Sequence, residues 1–152
     1  MLNESILKNV VEKINHAIII SDTQGNFLLW NDSAKDILGM RPAIVKQEVW
    51  DSYFGIFKLD GTKYETHELP IMKATKGIET KKERLYLTDG ITGEGRYLDV
   101  DAFPVIDTNG NIVAAAASFN DVTKTMKIEN AIEELENRFS HIIVLLQNSF
   151  FT

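Results

Sequence analysis

Residues 114–139 read AAAASFNDVTKTMKIENAIEELENRF, a stretch that changes character in its middle. It begins with small and apolar residues that suit a β-strand, and it ends with the charged, periodic pattern typical of a long α-helix. Asn120-Asp121-Val122-Thr123 lies between the two halves. Asp121 or Thr123 is suited to accept a hydrogen bond from a free backbone N–H of the first helical turn. The stretch therefore predicts that a strand ends within these four residues and that a capped helix follows.

The helical half carries apolar residues at alternating spacings of four and three, the heptad pattern of a coiled coil. Glutamates and Arg138 flank this seam. The alternative is a single helix that folds back on its own sheet, but a narrow apolar stripe with charged flanks favours a parallel homodimer. The N-terminal helix would add contacts to that dimer. The seam consists of Ile128, Ile132, Leu135, Phe139, Ile142 and Leu146.

Upstream of this stretch, the sequence predicts one sheet that is interrupted by short helices. Residues 1–15 have the apolar spacing of an amphipathic helix. Residues 17–21 and 26–31 predict a β-hairpin, and residues 51–77 predict irregular chain that contains a short helix between Pro70 and Gly77. Three longer strands follow: KERLYLT, RYLDVDAFPV and NIVAAAASF. This order predicts an α+β fold with a five-stranded, mainly antiparallel sheet and short helices over one face.

Two short helices are expected after the hairpin. Asn31 is a plausible N-cap for the first, in which Ala34, Ile37 and Leu38 face inward. The second is predicted over residues 42–50.

Composition excludes several classes of function. The chain has 152 residues, a net charge of −6 and no cysteine. The missing thiols exclude cysteine catalysis, cysteine-ligated metals and a cysteine-linked flavin. The acidic balance without a basic cluster argues against nucleic-acid binding. No apolar run approaches a membrane span, and the N-terminus lacks the features of a secretory signal, so a cytoplasmic location is expected.

Three segments in order resemble a PAS domain, of the kind found at the front of bacterial two-component sensor kinases. They are AIIISDTQGNFLLWNDSAKDILG, ETHELPIMKATKGIETKKERLYL and GRYLDVDAFPVIDTNGNIVAAAASFNDVT. The resemblance covers roughly residues 8–130 and implies a sheet that cups a small cavity, with a role in sensing and dimerisation. It divides the chain into an N-terminal helix (1–15), a sensory domain (16–122) and a C-terminal signalling helix (123–152).

The resemblance implies an interior cavity that could hold a small apolar or aromatic molecule, whose identity the sequence leaves unknown. The alternative is that the same side chains simply fill the core. The residues expected between sheet and helices are Trp30, Ile37, Leu38, Trp50, Phe54, Phe57, Met72, Tyr86, Leu98 and Phe119.

Histidines raise two further hypotheses. His67 lies near the position where haem-binding PAS domains carry their proximal ligand, but it matches by neighbourhood only, so haem is disfavoured. His141 follows Ser140, as the phospho-accepting histidine of sensor kinases follows a serine. Ile142 and Ile143 stand where those kinases carry other residues, which argues against this role.

Asp99 and Asp101 share a strand face without a nearby nucleophile, histidine or phosphate loop. No metal site and no enzymatic activity are expected from these patterns.

The prediction is therefore a sensory and dimerisation domain. A ligand or partner would shift the sheet, and Asp121 and Thr123 would pass that change to the coiled coil and to a downstream domain or partner protein. The alternatives are a histidine-kinase fragment that uses His141 and a ligand-free interaction module.

Overall fold

The computed structural model describes residues 4–38, 54–89 and 93–151. These residues form six β-strands and four α-helices. The helices are α1 (Glu4–Lys13), α2 (Asp32–Leu38), α3 (Pro70–Thr75) and α4 (Thr123–Phe151), and a 3₁₀ turn at Thr66–Glu68 precedes α3. The strands are β1 (Ala17–Ser21), β2 (Phe27–Trp30), β3 (Phe54–Phe57), β4 (Thr80–Asp89), β5 (Gly95–Ile106) and β6 (Ile112–Asp121).

All six strands join one antiparallel sheet in the order β2-β1-β6-β5-β4-β3. The first and last parts of the domain therefore meet at the centre, where β6 pairs with β1 on one side and with β5 on the other. The chain divides into two compact units, one ending at Asp121 and the other beginning at Val122. All of the sheet lies in the first unit.

The sequence prediction of five strands was wrong by one strand. β3 lies within residues 51–77, which were expected to be irregular, and it pairs with β4 so that Gly55 lies opposite Thr88 and Phe57 opposite Tyr86. β3 has only four residues, too few to show a strand period in the sequence. A turn follows in which the Lys58 N–H donates to the Thr62 carbonyl over 2.8 Å. The second helix predicted over residues 42–50 lies outside the described residues.

β6 ends within residues 120–123, where the sequence predicts the end of the strand, and two residues beyond the predicted segment NIVAAAASF. Asn120 pairs with Asp99 and Asp121 pairs with Leu98, so the strand continues through both residues. Only Val122 then separates β6 from α4.

Buried and more exposed residues alternate along the long strands β4 and β5. Leu85 and Leu87 of β4 are buried, and so are Leu98, Val100 and Ala102 of β5. Because successive side chains of a strand point to opposite faces, these residues define the inner face of the sheet, which carries the core.

Small residues on the inner face of β6 accompany a helix that packs against the sheet. α3 contacts both β5 and β6. Ala74 of α3 is 0% exposed, and Ala115 and Ala117 of β6 are buried. Pro70 occupies the first turn of α3, and Gly77 follows the helix with a positive φ of 89°. Pro70 and Gly77 therefore bracket the helix as the sequence predicted.

The side chain of Asn31 links α1, β1 and α2 through hydrogen bonds. Its side chain is fully buried and makes four hydrogen bonds. Nδ2 donates to the Val11 carbonyl over 3.0 Å and to the His16 carbonyl over 2.6 Å. Oδ1 accepts from the N–H groups of Ile18 and Ala34 over 2.9 and 3.0 Å. The predicted N-cap of α2 is confirmed by the bond to Ala34, and the same side chain also joins α1 to β1.

The second unit is the 29-residue helix α4. Beyond its first turn the described side chains are exposed, including the large apolar ones. Among the residues that the structure describes, no helix is both long and apolar enough to cross a membrane.

Candidate ligand cavity and signalling junction

A cavity of about 60 Å³ lies on the inner face of the sheet. α3 and the residue before it contribute to one side, and the strands contribute the other. The lining side chains are apolar, and among them only Trp30 carries a polar group, its indole N–H. The lining residues are Ile19, Trp30, Leu38, Ile56, Leu69, Pro70, Ile71, Leu85, Leu87, Leu98, Val100, Ala117 and Phe119.

Four of the predicted cavity residues lie in this lining: Trp30, Leu38, Leu98 and Phe119. Ile37 and Met72 are partly buried and pack against the core without lining the cavity. Trp50 and the side chain of Phe54 are outside the described part of the chain. Whether any of these residues binds a ligand stays a prediction.

Phe57 and Tyr86 lie elsewhere. They line a groove that also contains Tyr97, and the rings of Tyr86 and Tyr97 have centroids 4.9 Å apart. Since Leu85 and Leu87 face inward, the alternation of the strand sends Tyr86 to the outer face. Gly95 allows this arrangement, because a Cβ there would lie 1.6 Å from the Tyr86 hydroxyl oxygen.

The sequence contained a signal for some of the lining residues that the prediction missed. Leu85 and Leu87 share one face of their strand, and Val100 shares a face with the predicted cavity residue Leu98, so following that alternation would have found them. Ile56 carried no comparable signal, because β3 was not predicted.

Two buried polar atoms have no hydrogen-bond partner within the described structure: Trp30 Nε1 and Ser21 Oγ. Both residues are buried, at 2% and 1% exposure. Trp30 lines the cavity, whereas Ser21 does not. The indole ring stands edge-on to Phe27, with ring centroids 5.1 Å apart and an interplanar angle of 85°.

The outer face carries an ion pair that the sequence did not reveal. Arg84 Nε lies 2.7 Å from Asp99 Oδ1, and Arg84 Nη2 lies 3.0 Å from Asp99 Oδ2. This two-point contact lowers the pKa of Asp99 below its ordinary value, chiefly through the hydrogen bond from Arg84. Asp101 instead accepts from the Lys82 N–H over 2.6 Å. Neither contact points to catalysis.

His67 lies on the surface. Its side chain is 77% exposed, and its Nδ1 lies 3.4 Å from Glu65 Oε2. It is not among the residues that line the cavity. Within residues 4–38, 54–89 and 93–151, no three His, Asp or Glu side chains gather in a way that could hold a metal ion.

The predicted signal junction follows the cavity along the same strand. Ala117 and Phe119 of β6 line the cavity, and Asp121 ends that strand. An Arg96 guanidinium nitrogen lies 3.4 Å from Asp121 Oδ2. One residue earlier, Asn120 Oδ1 lies 2.9 Å from Nδ1 of His16, which precedes β1. The last residues of β6 are thus held to both neighbouring parts of the sheet.

α4 begins at Thr123, and the Met126 N–H donates to the Val122 carbonyl over 2.8 Å. Val122 therefore provides the first helical carbonyl. The roles of Asp121 and Thr123 in signal transfer stay predictions.

The predicted seam is exposed along α4. Ile128 and Ile132 are each 51% exposed, and Leu135, Phe139, Ile142 and Leu146 are between 52% and 64% exposed. His141 lies on the same helix and is also exposed. No partner chain is present, so the coiled coil stays a prediction.

Comparison with known proteins identifies the family. The PAS domain family profile matches residues 15–124. No curated protein matches the sequence.

Several solved structures share the fold. The PAS domain of a Colwellia psychrerythraea protein superposes with a TM-score of 0.56 at 17% identity, over 79% of this chain and 97% of that one. The PAS domain of the fruit-fly ELK potassium channel gives 0.55 at 14% identity, over 81% and 99%. The PAS domain of nitrogen regulation protein NR(II) from Vibrio parahaemolyticus gives 0.52 at 12% identity, over 76% and 97%.

Identities this low show the shared fold alone. The family profile, however, spans the hairpin, the helical segment and the three long strands described above. This chain therefore belongs to the PAS domain family.

Proposed function

We propose that this chain is the sensory and dimerisation domain of a signal-transduction protein. A small molecule in the cavity favours one arrangement of the sheet, and β6 passes that arrangement to α4. The observation that carries the proposal is the course of β6. The strand lines the cavity with Ala117 and Phe119, ends at Asp121 and is separated from α4 by Val122 alone.

The position of β6 supports this role. It lies at the centre of the sheet and pairs with both β1 and β5, so a change in the cavity wall acts on three strands at once. A ligand shifts such an equilibrium only by the difference between its affinities for the two states. Couplings of about 1–3 kcal/mol are typical of allosteric proteins and would suffice.

Dimerisation through α4 is the second part of the proposal. A helix with an exposed apolar seam gains stability when a second copy covers that seam. Asp121 and Thr123 would then set the angle at which each helix leaves its sheet, and a downstream domain or partner would respond to the change.

A substitution that fills the cavity tests the transfer without a known ligand. Ala117→Val adds two methyl groups to the cavity wall from β6. We expect it to change the rate of amide hydrogen exchange in α4, and we expect Asp121→Ala to reduce that response. Ala114→Val is the matched control, because Ala114 lies on the same strand but does not line the cavity. Altered exchange in the sheet with unchanged exchange in α4 would contradict the proposal.

A ligand-free interaction module is the second candidate, and the small volume of the cavity favours it. Mass spectrometry of the purified protein under native and denaturing conditions separates the two. A bound molecule raises the native mass per chain above 17.2 kDa and is lost under denaturing conditions. A native mass per chain equal to the denatured mass would favour the interaction module.

The histidine-kinase alternative depends on His141. Incubation with a cognate kinase and radiolabelled ATP tests it, and label that His141→Ala abolishes would support it.

A further inference from the structure

The indole N–H of Trp30 is a buried donor without an acceptor. Tryptophan has one polar group, and a buried indole N–H usually finds a partner because leaving it unpaired is unfavourable. Trp30 is 2% exposed, and no acceptor for its Nε1 occurs among the described residues. An unpaired donor of this kind needs a reason to persist.

No other side chain that lines the cavity can accept a hydrogen bond from Trp30. The other lining side chains are aliphatic, apart from the phenyl ring of Phe119. The edge-on contact with Phe27 holds the indole ring in one orientation. Because no described residue accepts from the N–H group, an acceptor on a molecule within the cavity would pair it.

The lining also limits what such a molecule could be. A charged group would leave water without a compensating charge, because no ionisable side chain lines the cavity. The volume of about 60 Å³ is small. An apolar cavity on the order of 150 Å³ admits benzene, so this smaller cavity suits a compound of about four heavy atoms or fewer.

We propose that the cavity binds a small, uncharged, mainly apolar molecule with one hydrogen-bond acceptor, such as a carbonyl oxygen, and that this acceptor pairs with Trp30 Nε1. This inference rests on the ligand-sensing role proposed above. Binding sites of this type combine an apolar wall with very few polar groups, and those groups determine orientation and selectivity.

Two compounds of nearly equal shape test the inference. Acetone carries a carbonyl oxygen, and 2-methylpropene carries a CH₂ group in its place. Binding is measured by NMR on protein labelled with ¹⁵N at its two tryptophans, and Trp50→Phe assigns the two indole signals. We expect acetone to move the Trp30 indole N–H signal downfield and to bind about tenfold more tightly than 2-methylpropene, the effect of one hydrogen bond.

Substitutions locate the source of that preference. Trp30→Phe removes the N–H group, and we expect the affinity ratio of the two compounds to fall to about one, even if the enlarged cavity changes both affinities. Ser21→Ala is the matched control. It removes the other unpartnered buried polar atom, which is outside the cavity lining, and it should preserve the ratio.

Each contrary outcome has a distinct meaning. Equal affinities with an unmoved Trp30 signal would overturn the role of the indole while leaving ligand sensing intact. A preference for the ketone that persists in Trp30→Phe would also overturn that role. Failure of both compounds to bind would overturn this inference and would count against a ligand-sensing cavity as well.

Discussion

The sheet buries large apolar side chains of the same kinds that the long C-terminal helix leaves exposed. Phe119, near the end of β6, is 4% exposed, whereas Phe139 on α4 is 64% exposed. Leu98 is 3% exposed, whereas Leu146 is 53% exposed. In the first unit, α3 packs against the inner face of the sheet, where the apolar core residues are buried. The seam residues of the second unit are exposed, and we expect a second copy to cover them.

The two units are joined by very little chain, since β6 ends at Asp121 and α4 begins at Thr123. The function proposed above assigns sensing to the first unit and reporting to the second. Stability of the first unit and association of the second should then respond to different substitutions.

The largest expected effect comes from breaking the helix seam. Leu135→Asp places a charge where the partner helix would pack. We expect the dimer dissociation constant to rise roughly a thousandfold, about 4 kcal/mol per dimer, because two buried leucines are lost. Sedimentation equilibrium measures this constant.

Asn137→Asp is the control for that experiment. It introduces the same charge two residues away and outside the seam, so the dimer should persist. Equal dissociation constants for the two variants would show that Leu135 and its seam do not hold the dimer together. A fall in the unfolding free energy of the sheet in Leu135→Asp would show that the units are not independent.

Asn31→Ala is expected to destabilise the first unit, which contains the sheet. The substitution leaves the carbonyls of Val11 and His16 and the N–H groups of Ile18 and Ala34 without their partner. We expect the free energy of unfolding, measured by urea denaturation, to fall by about 3 kcal/mol.

Asn109→Ala is its counterpart on the surface, where we expect a change within about 0.5 kcal/mol. Asn109 is exposed and lies in a turn. A similar loss of stability in both variants would mean that the buried hydrogen bonds of Asn31 contribute little.

A smaller effect on stability is expected from the ion pair between Arg84 and Asp99 on the outer face of the sheet. Arg84 lowers the pKa of Asp99, so the ion pair contributes stability above the unfolded-state pKa of about 4 and loses it as pH falls through the folded-state value. At neutral pH, Asp99→Asn should cost about 1 kcal/mol.

The difference between wild type and Asp99→Asn should shrink as the pH is lowered toward 3. Urea denaturation at several pH values measures it. Asp36→Asn, at an exposed position on α2, is the control and should show no such convergence. A constant difference across this range would argue that the ion pair is not its source.

Much of the fold was predictable because its signals are local. The apolar run of β1 gave the correct bounds, Ala17–Ser21. Pro70 and Gly77 marked both ends of α3, and the alternation around Leu85 and Leu98 identified the inner face. Each of these signals depends on neighbours a few residues away, and the family resemblance then supplied their arrangement.

Features that depend on distant parts of the chain were not predictable in the same way. β3 becomes a strand by pairing with β4, which lies about 30 residues further along. The sequence revealed the local bond from Asn31 to Ala34 but not the bonds to Val11 and His16. Tyr86 was predicted to line the cavity, although its place between Leu85 and Leu87 sends it to the outer face.

The central claim is that a change in the cavity reaches α4 through the end of β6. Double electron–electron resonance tests it most directly, with a spin label on an introduced cysteine at the exposed position Asn137. The chain has no other cysteine, so each protomer carries one label. We predict that Ala117→Val shifts the distribution of distances between the two labels, that Ala114→Val leaves it unchanged, and that Asp121→Ala suppresses the shift. Superimposable distributions for wild type, Ala117→Val and Ala114→Val would contradict the claim, and the absence of any dipolar coupling would contradict the dimer itself.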